Sequence, residues 1–297
     1  MEQLQKIRHF PVLLKEFLEA FKEMEIETFF DGTLGAAGHA KAILEEHPEI
    51  DIFIGCDQDK EALEIANENL KPYMNKVRMI HSNFRYINKI LDEMNIKYCD
   101  GIFFDLGVSS MQFDVGDRGF SFRFDAPLDM RMNKSEELTA RIIINEWPES
   151  ELEKIFRLYG EESKSKKAAK QIVDNRKRKK INTTFELLEV LEPVLGKRRK
   201  IHPATKIFQA LRICVNDELN ILKEGLNDAI GRLSIDGRIV VISFHSLEDR
   251  IVKNTFKEDD RLEIITKKPI APPYYEKNRR ARSAKMRIAK RIRGKDE

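Results

Sequence analysis

Cysteine is scarce in this chain of 297 residues, with three in all, at positions 56, 99 and 214. None has a close partner and the number is odd, which excludes a disulfide framework and a cysteine-held zinc site. No metal centre is expected. The chain also lacks a run of about 18 apolar residues, so no membrane span is expected. Its first residues hold no apolar stretch of the signal-peptide kind. Together these absences predict a cytoplasmic protein with reduced thiols. A strong charge bias is missing too: 53 Lys and Arg stand against 50 Asp and Glu, a net charge of +3. Bulk charge therefore identifies no partner. What is abundant is charge of both signs, 35%, beside 41% apolar residues, enough for a core under well-solvated helices.

The organising stretch is Phe29-Phe30-Asp31-Gly32-Thr33-Leu34-Gly35-Ala36-Ala37-Gly38-His39. An apolar run ends in an acid, breaks into small residues and passes into a helical pattern. That order predicts a strand, a tight turn and a helix whose amino end faces the turn. Glycines 32, 35 and 38 remove side chains where a ligand can approach the backbone, and the helix start offers free N–H groups. The spacing is not the Gly-x-Gly-x-x-Gly of dinucleotide folds.

Short apolar runs then alternate with helical patterns. Strands are expected at 28–30, 52–56, 77–80, 101–104 and 237–243, with an edge strand at 262–266. Such alternation implies a parallel sheet wound with helices on both faces. Asp31, Asp57 and Asp105 fall at consecutive strand ends, where ligands bind in doubly wound sheets. Asp57 comes 26 residues after Asp31, near the place of a ribose-binding acid. The fifth strand closes on Phe244-His245-Ser246, which puts His245 on the same edge, with Ser246 and Asp249 opening the next helix.

From residue 113 the rhythm stops. A loop rich in Asp, Gly and Phe, with Phe120, Phe122 and Phe124, leads into helical stretches at 140–147, 151–159, 165–176 and 184–191. One long helix is expected over 206–226. The domain reading is 1–112 for the first part of the sheet domain, 113–205 for an inserted helical domain and 206–297 for the second part with a basic tail. Three clusters, 176–180, 197–200 and 277–295, segregate positive charge as a phosphate backbone would require. Tyr274 and Tyr275, just before the tail, are candidates for stacking on bases. His9, before Pro11, is read either as a surface histidine or as an arm closing over the site.

Read together, the motifs resemble those of the bacterial 16S ribosomal RNA (cytosine-N4)-methyltransferases, which act on cytosine 1402 of the small-subunit RNA. The residues that carry the likeness are His9-Phe-Pro-Val-Leu-Leu14, Asp31-Gly-Thr-Leu-Gly35 with Gly38-His39, Asp105-Leu-Gly-Val-Ser-Ser110, Arg118-Gly-Phe-Ser-Phe122, Pro127-Leu-Asp-Met-Arg-Met132, Tyr159-Gly-Glu161, His202-Pro-Ala-Thr205, Phe208-Gln-Ala-Leu-Arg212, Ser243-Phe-His-Ser-Leu-Glu-Asp-Arg250 and Arg280-Ala-Arg-Ser283. The resemblance implies a Rossmann-like class I methyltransferase sheet interrupted by a helical domain, with S-adenosylmethionine as cofactor and 16S rRNA in the small ribosomal subunit as partner. It leaves a homodimer open. By matching motif it places Ala37, Gly38 and His39 on the methionine side of the cofactor, Asp57 on the ribose and Phe84 near the adenine. Asp105 and Gln112 complete the pocket. For catalysis, Asp105 or the backbone just after it is expected to accept from the amino group, Ser109 or Ser110 to position the base, and His245 to orient the cytosine or accept a proton. Two departures stand out. Ala37 replaces a usual glycine, tolerable if its φ is negative, and Met111 replaces a usual proline. A nicotinamide-dependent oxidoreductase and a non-catalytic RNA-binding protein are the competing readings.

Overall fold

The computed structural model describes residues 11–107, 116–196, 202–273 and 281–293. The chain divides into two compact units, Met1–Gly107 with Leu219–Glu297, and Val108–Glu218. Among the described residues no helix is long and apolar enough to cross a membrane.

The first unit is built on seven strands: β1 Thr28–Asp31, β2 Ile52–Asp57, β3 Val77–His81, β4 Cys99–Asp105, β5 Leu233–Ser243, β6 Leu262–Ile264 and β7 Lys285–Arg291. Their order is β3-β2-β1-β4-β5-β7-β6. Strands β1 to β5 run parallel, while β7 lies antiparallel between β5 and β6. The order reverses between β1 and β4, the switch point at which such sheets bind ligands.

Successive residues alternate between two apolar layers, as the pleat requires. Phe29, Phe53, Phe103 and Val240 face α1 Leu14–Phe21, α2 Gly38–Glu46 and α3 Lys60–Asn69. Their chain neighbours Phe30, Ile54, Phe104 and Val241 face α4 Ile87–Glu93, α10 Glu218–Arg232 and α11 Ser246–Glu258. Both faces being covered, the strands are nearly continuous apolar runs.

The second unit is helical: α5 Ala140–Glu146, α6 Glu149–Leu158, α7 Ser165–Arg176, α8 Thr184–Leu195 and α9 Thr205–Val215. One core joins Ile143, Phe156, Ile172, Leu187 and Leu211. Phe120 is buried in that core and Phe122 packs partly against it. The ring of Phe122 lies 4.7 Å from His202 and 5.1 Å from Phe208. Of the three loop phenylalanines, only Phe124 is exposed.

Two sequence expectations need correction. The single helix over 206–226 is two helices, α9 and α10, broken at Asp217, whose φ is +49°. The basic segment 277–295 is not a solvated tail over its described part. Residues 285–291 form β7, with Met286, Ile288 and Ala289 buried in the sheet.

Candidate cofactor and active site

The site grows from the ends of β1, β2, β4 and β5. Asp31, at the end of β1, accepts the Thr33 N–H at 3.0 Å. Thr33 then accepts the Asp105 N–H through its hydroxyl at 2.6 Å, tying the turn to the end of β4. The Leu34 N–H donates to the Cys56 carbonyl at 3.0 Å, and the Gly35 N–H to Asp57 Oδ2 at 2.7 Å. The other oxygen of Asp57 accepts the Asp59 N–H at 2.8 Å. The turn is thus fastened to both neighbouring strands by its own backbone.

Only one of its three glycines keeps an open edge. A Cβ on Gly32 would strike the Phe104 ring at 2.4 Å, and one on Gly38 would meet Pro11 at 2.7 Å. At Gly35, φ +53°, the nearest atom is 3.9 Å away. Gly32 and Gly38 therefore serve packing, and Gly35 is where a ligand can approach. Ala37 caps α2 with φ +64°. The negative φ that would excuse its methyl is not found, so this residue sits in the left-handed region, at a cost of roughly 1–2 kcal/mol relative to an unstrained residue.

His39 stands on the first turn of α2, buried between Phe17 and Phe103. Its Nε2 lies 3.0 Å from the Val12 carbonyl, which can only accept. Nε2 therefore carries a hydrogen. Its Nδ1 faces Asp105 Oδ2 at 3.7 Å. The second oxygen, Asp105 Oδ1, is buried and has no hydrogen-bond partner among the described residues.

The three acids repel one another. Burial, aided by the charge of Asp57, raises Asp31 to about 7 against the pull of the Thr33 N–H. Burial raises Asp57 to about 6, although the N–H groups of Asp59 and Gly35 oppose it. Asp105 is pushed well above the carboxylate range by burial, then by Asp31 and Glu248. Such a cluster suits a cationic ligand, whose charge would offset the repulsion.

Phe84 follows β3, in a single turn of 3₁₀-helix opened by Asn83. It is buried and stacks on Phe104, centroids 4.6 Å apart. His245 caps α11, taking the Glu248 N–H on Nδ1 at 3.3 Å. Its Nε2 lies 3.0 Å from Glu248 Oε1. The capping box is thus His245 with Glu248, one residue earlier than the expected Ser246 with Asp249. Asp249 turns instead to β7, at 2.7 Å from Arg287 Nε and 3.1 Å from Lys285 Nζ. His9, Ser109, Ser110, Met111, Gln112, Tyr274 and Tyr275 lie outside the described residues.

The structure therefore gathers Asp31, Asp57, Asp105, Ala37, Gly38 and His39 around one turn. Sequence reasoning missed Thr33 as its clasp, the Val12 carbonyl as the partner of His39, and Glu248 as a buried charge facing Asp105. All three lie within motifs quoted above, but contacts between distant segments are not visible in a motif.

Comparison with known proteins agrees with this architecture. The model of the MraW methylase family matches residues 6–292. The chain belongs to the MraW methylase family. Ribosomal RNA small subunit methyltransferase H of Halothermothrix orenii is 46% identical, over 96% of this chain and 99% of that one. The protein of the same name from Persephonella marina is 47% identical, over 96% of this chain and all of its own. That from Clostridium botulinum strain Kyoto is 44% identical, over 97% of this chain and all of its own. For an MraW-family methylase the cofactor is S-adenosylmethionine. Its sulfonium and ammonium charges match the crowded acids, and its ribose hydroxyls match the spare lone pairs of Asp57. The open edge of Gly35 leaves room for a polar group to approach the turn.

Proposed function

We propose that this protein transfers a methyl group from S-adenosylmethionine to the exocyclic N4 amino group of cytosine 1402 in 16S ribosomal RNA of the small subunit, in the cytoplasm. The observation that carries the reading is near-full-length identity of 44 to 47% with proteins named for small-subunit rRNA methylation. The strand-end acids supply the chemistry.

The cofactor brings a methyl group already activated by a sulfonium. The protein must align the amino nitrogen with it and exclude water. Asp57 holds the ribose, and Ala37, Gly38 and His39 line the methionine side. Phe84 borders the adenine, and the family resemblance assigns Gln112 to the same pocket. A cytosine amino lone pair is delocalised into the ring, so an acceptor at its hydrogens is needed to localise it. Asp105 Oδ1 is that acceptor. That oxygen is buried with no hydrogen-bond partner among the described residues, and the positive charge of the bound cofactor would favour its ionised form. The bound cofactor would supply the methyl group and leave as the neutral thioether, and Asp105 would take up the proton that the amino nitrogen loses on methylation. His39, anchored on Val12, stands beside the other oxygen, Oδ2, at 3.7 Å and leaves Oδ1 for the amino group. Ser110 positions the base. His245, held by Glu248, orders the turn after β5.

The test is methyl transfer from labelled donor to small subunits lacking the modification, followed by mapping of the modified nucleotide. The expected product is N4-methylcytosine at 1402. Label on a ring carbon or on an adenine overturns the reading. Asp57→Ala should abolish cofactor binding in calorimetry while leaving the far-UV circular dichroism unchanged.

A further inference from the structure

The helical unit carries a surface that the site above does not use. Phe124 and Phe185 are exposed by 50% and 42%, unusual for rings of this size. Their backbones are joined. The Thr184 hydroxyl donates to the Phe124 carbonyl at 2.7 Å, the Thr184 N–H to the Ala126 carbonyl at 2.9 Å, and the Phe185 N–H to Asp125 at 3.2 Å. The Phe124 ring lies against Gly116, where a Cβ would come within 2.7 Å of it. It is therefore backed by main chain on one side and open on the other.

Positive charge adjoins the rings. Residues 177–180 are Lys-Arg-Lys-Lys, all exposed. Lys179 reaches Glu186, the neighbour of Phe185, at 2.6 Å, which fixes this segment beside α8. Of the nearby acids, Asp174 pairs with Lys170 and Lys177, Glu186 pairs with Lys179, Asp125 accepts the Phe185 N–H, and Glu189 acts on Lys179 through its charge. Arg178 and Lys180 have no side-chain partner among the described residues. Arg176, read from sequence as part of the same cluster, is not available. It donates to the Ile144 and Trp147 carbonyls at 2.7 and 2.6 Å and holds helices together.

We propose that Phe124 and Phe185 stack unpaired bases of the ribosomal RNA substrate, while Arg178 and Lys180 hold the adjoining phosphates. The proposal rests on the rRNA reading above and deepens it. Exposed rings with flanking cations are the means by which proteins hold single strands, because every base offers a flat face and every nucleotide a phosphate. A duplex hides its bases and gains nothing from the rings.

The experiment compares the wild type with Phe124→Ala/Phe185→Ala, Phe124→Trp and Arg178→Glu/Lys180→Glu. Methyl transfer to small subunits is measured, with anisotropy of a fluorescein-labelled single-stranded 16S segment and of a duplex RNA. The double alanine variant should raise KM and weaken single-strand binding tenfold or more. Its kcat, its duplex affinity and its cofactor affinity should stay as in the wild type. The Phe124→Trp emission should be quenched by the single strand, as a stacked ring requires. The charge-reversed variant should lose affinity for both RNAs and show a shallower salt dependence. Unchanged KM and single-strand affinity in the alanine variant overturn the proposal, as does an equal loss on single strand and duplex. A wild type that binds cofactor but methylates no RNA overturns the rRNA reading instead.

Discussion

At the scale of single residues, the acids at the strand ends hold the site in tension. Asp31 is raised from 3.8 to about 7, mainly by burial. A buried acid with a raised pKa binds its proton more tightly folded than unfolded. Between pH 4 and 7 the unfolded chain has lost that proton and the folded chain keeps it, so stability falls as pH rises through this window. Each pKa unit is worth about 1.4 kcal/mol, which makes Asp31 a destabilising group of a few kcal/mol above pH 7. Asp31→Asn keeps an oxygen for the Thr33 N–H and removes the charge. It should raise the melting temperature of the cofactor-free protein at pH 8 and change it little at pH 4. A variant that melts lower at pH 8 would show that the charge is not the destabilising element. The residue types and positions of this cluster were legible in the sequence, because each acid closes a short apolar run. What they touch was not. The Asp105–His39–Val12 chain joins three segments far apart in sequence, and the strain at Ala37 is a backbone angle that the sequence does not print.

At the scale of elements, the parallel strands were readable because their buried faces make unbroken apolar runs. Strand β7 was hidden by its own charge. Lys285, Arg287, Lys290 and Arg291 interleave with Met286, Ile288 and Ala289, and a basic segment reads as solvated. Arg287 and Arg291 are nevertheless buried. Arg291 donates to the carbonyls of Gly231, at 3.2 Å, and Leu233. Arg287 is met by Asp249. Burial works to raise Asp249, yet Arg287 and Lys285 outweigh it and hold the acid below its ordinary range. The two cations differ in environment, Arg287 being 8% exposed and Lys285 41%. Asp249→Ala leaves a buried guanidinium unpaired and should cost about 3 kcal/mol or more in denaturant unfolding. Lys285→Ala removes an exposed partner and should cost less than about 1 kcal/mol. Equal losses for the two would mean that α11 is not held to β7 through Arg287.

At the scale of the whole molecule, the chain order sets a constraint that no single element reveals. The acids that end β1, β2 and β4, and the whole turn from Asp31 to His39, lie before residue 108. The sheet that holds them does not. Strand β4 pairs on one side with β1 and on the other with β5, Gly101 to Asp105 facing Arg238 to Ile242. All of Ile239, Val240, Val241 and Ile242 are buried, as are α10 and α11 residues on the same layer. A chain ending at Glu218 would carry the cofactor residues and lack their support. It would expose a long apolar edge on β4, a template for pairing with other chains, and leave Phe30, Ile54 and Phe104 with α4 but without the α10 and α11 residues that complete their layer. Loss of β5 would also remove the Ile242 carbonyl that receives the Leu106 N–H at 2.9 Å, just past Asp105. The fragment 1–218 should therefore aggregate or remain unfolded by circular dichroism, with no cofactor binding in calorimetry. Adding the fragment 219–297 in trans during refolding should restore some binding, since the partner strand would then be supplied. Cofactor affinity equal to that of the full chain in 1–218 alone would mean that the turn and its acids are organised before the sheet is complete.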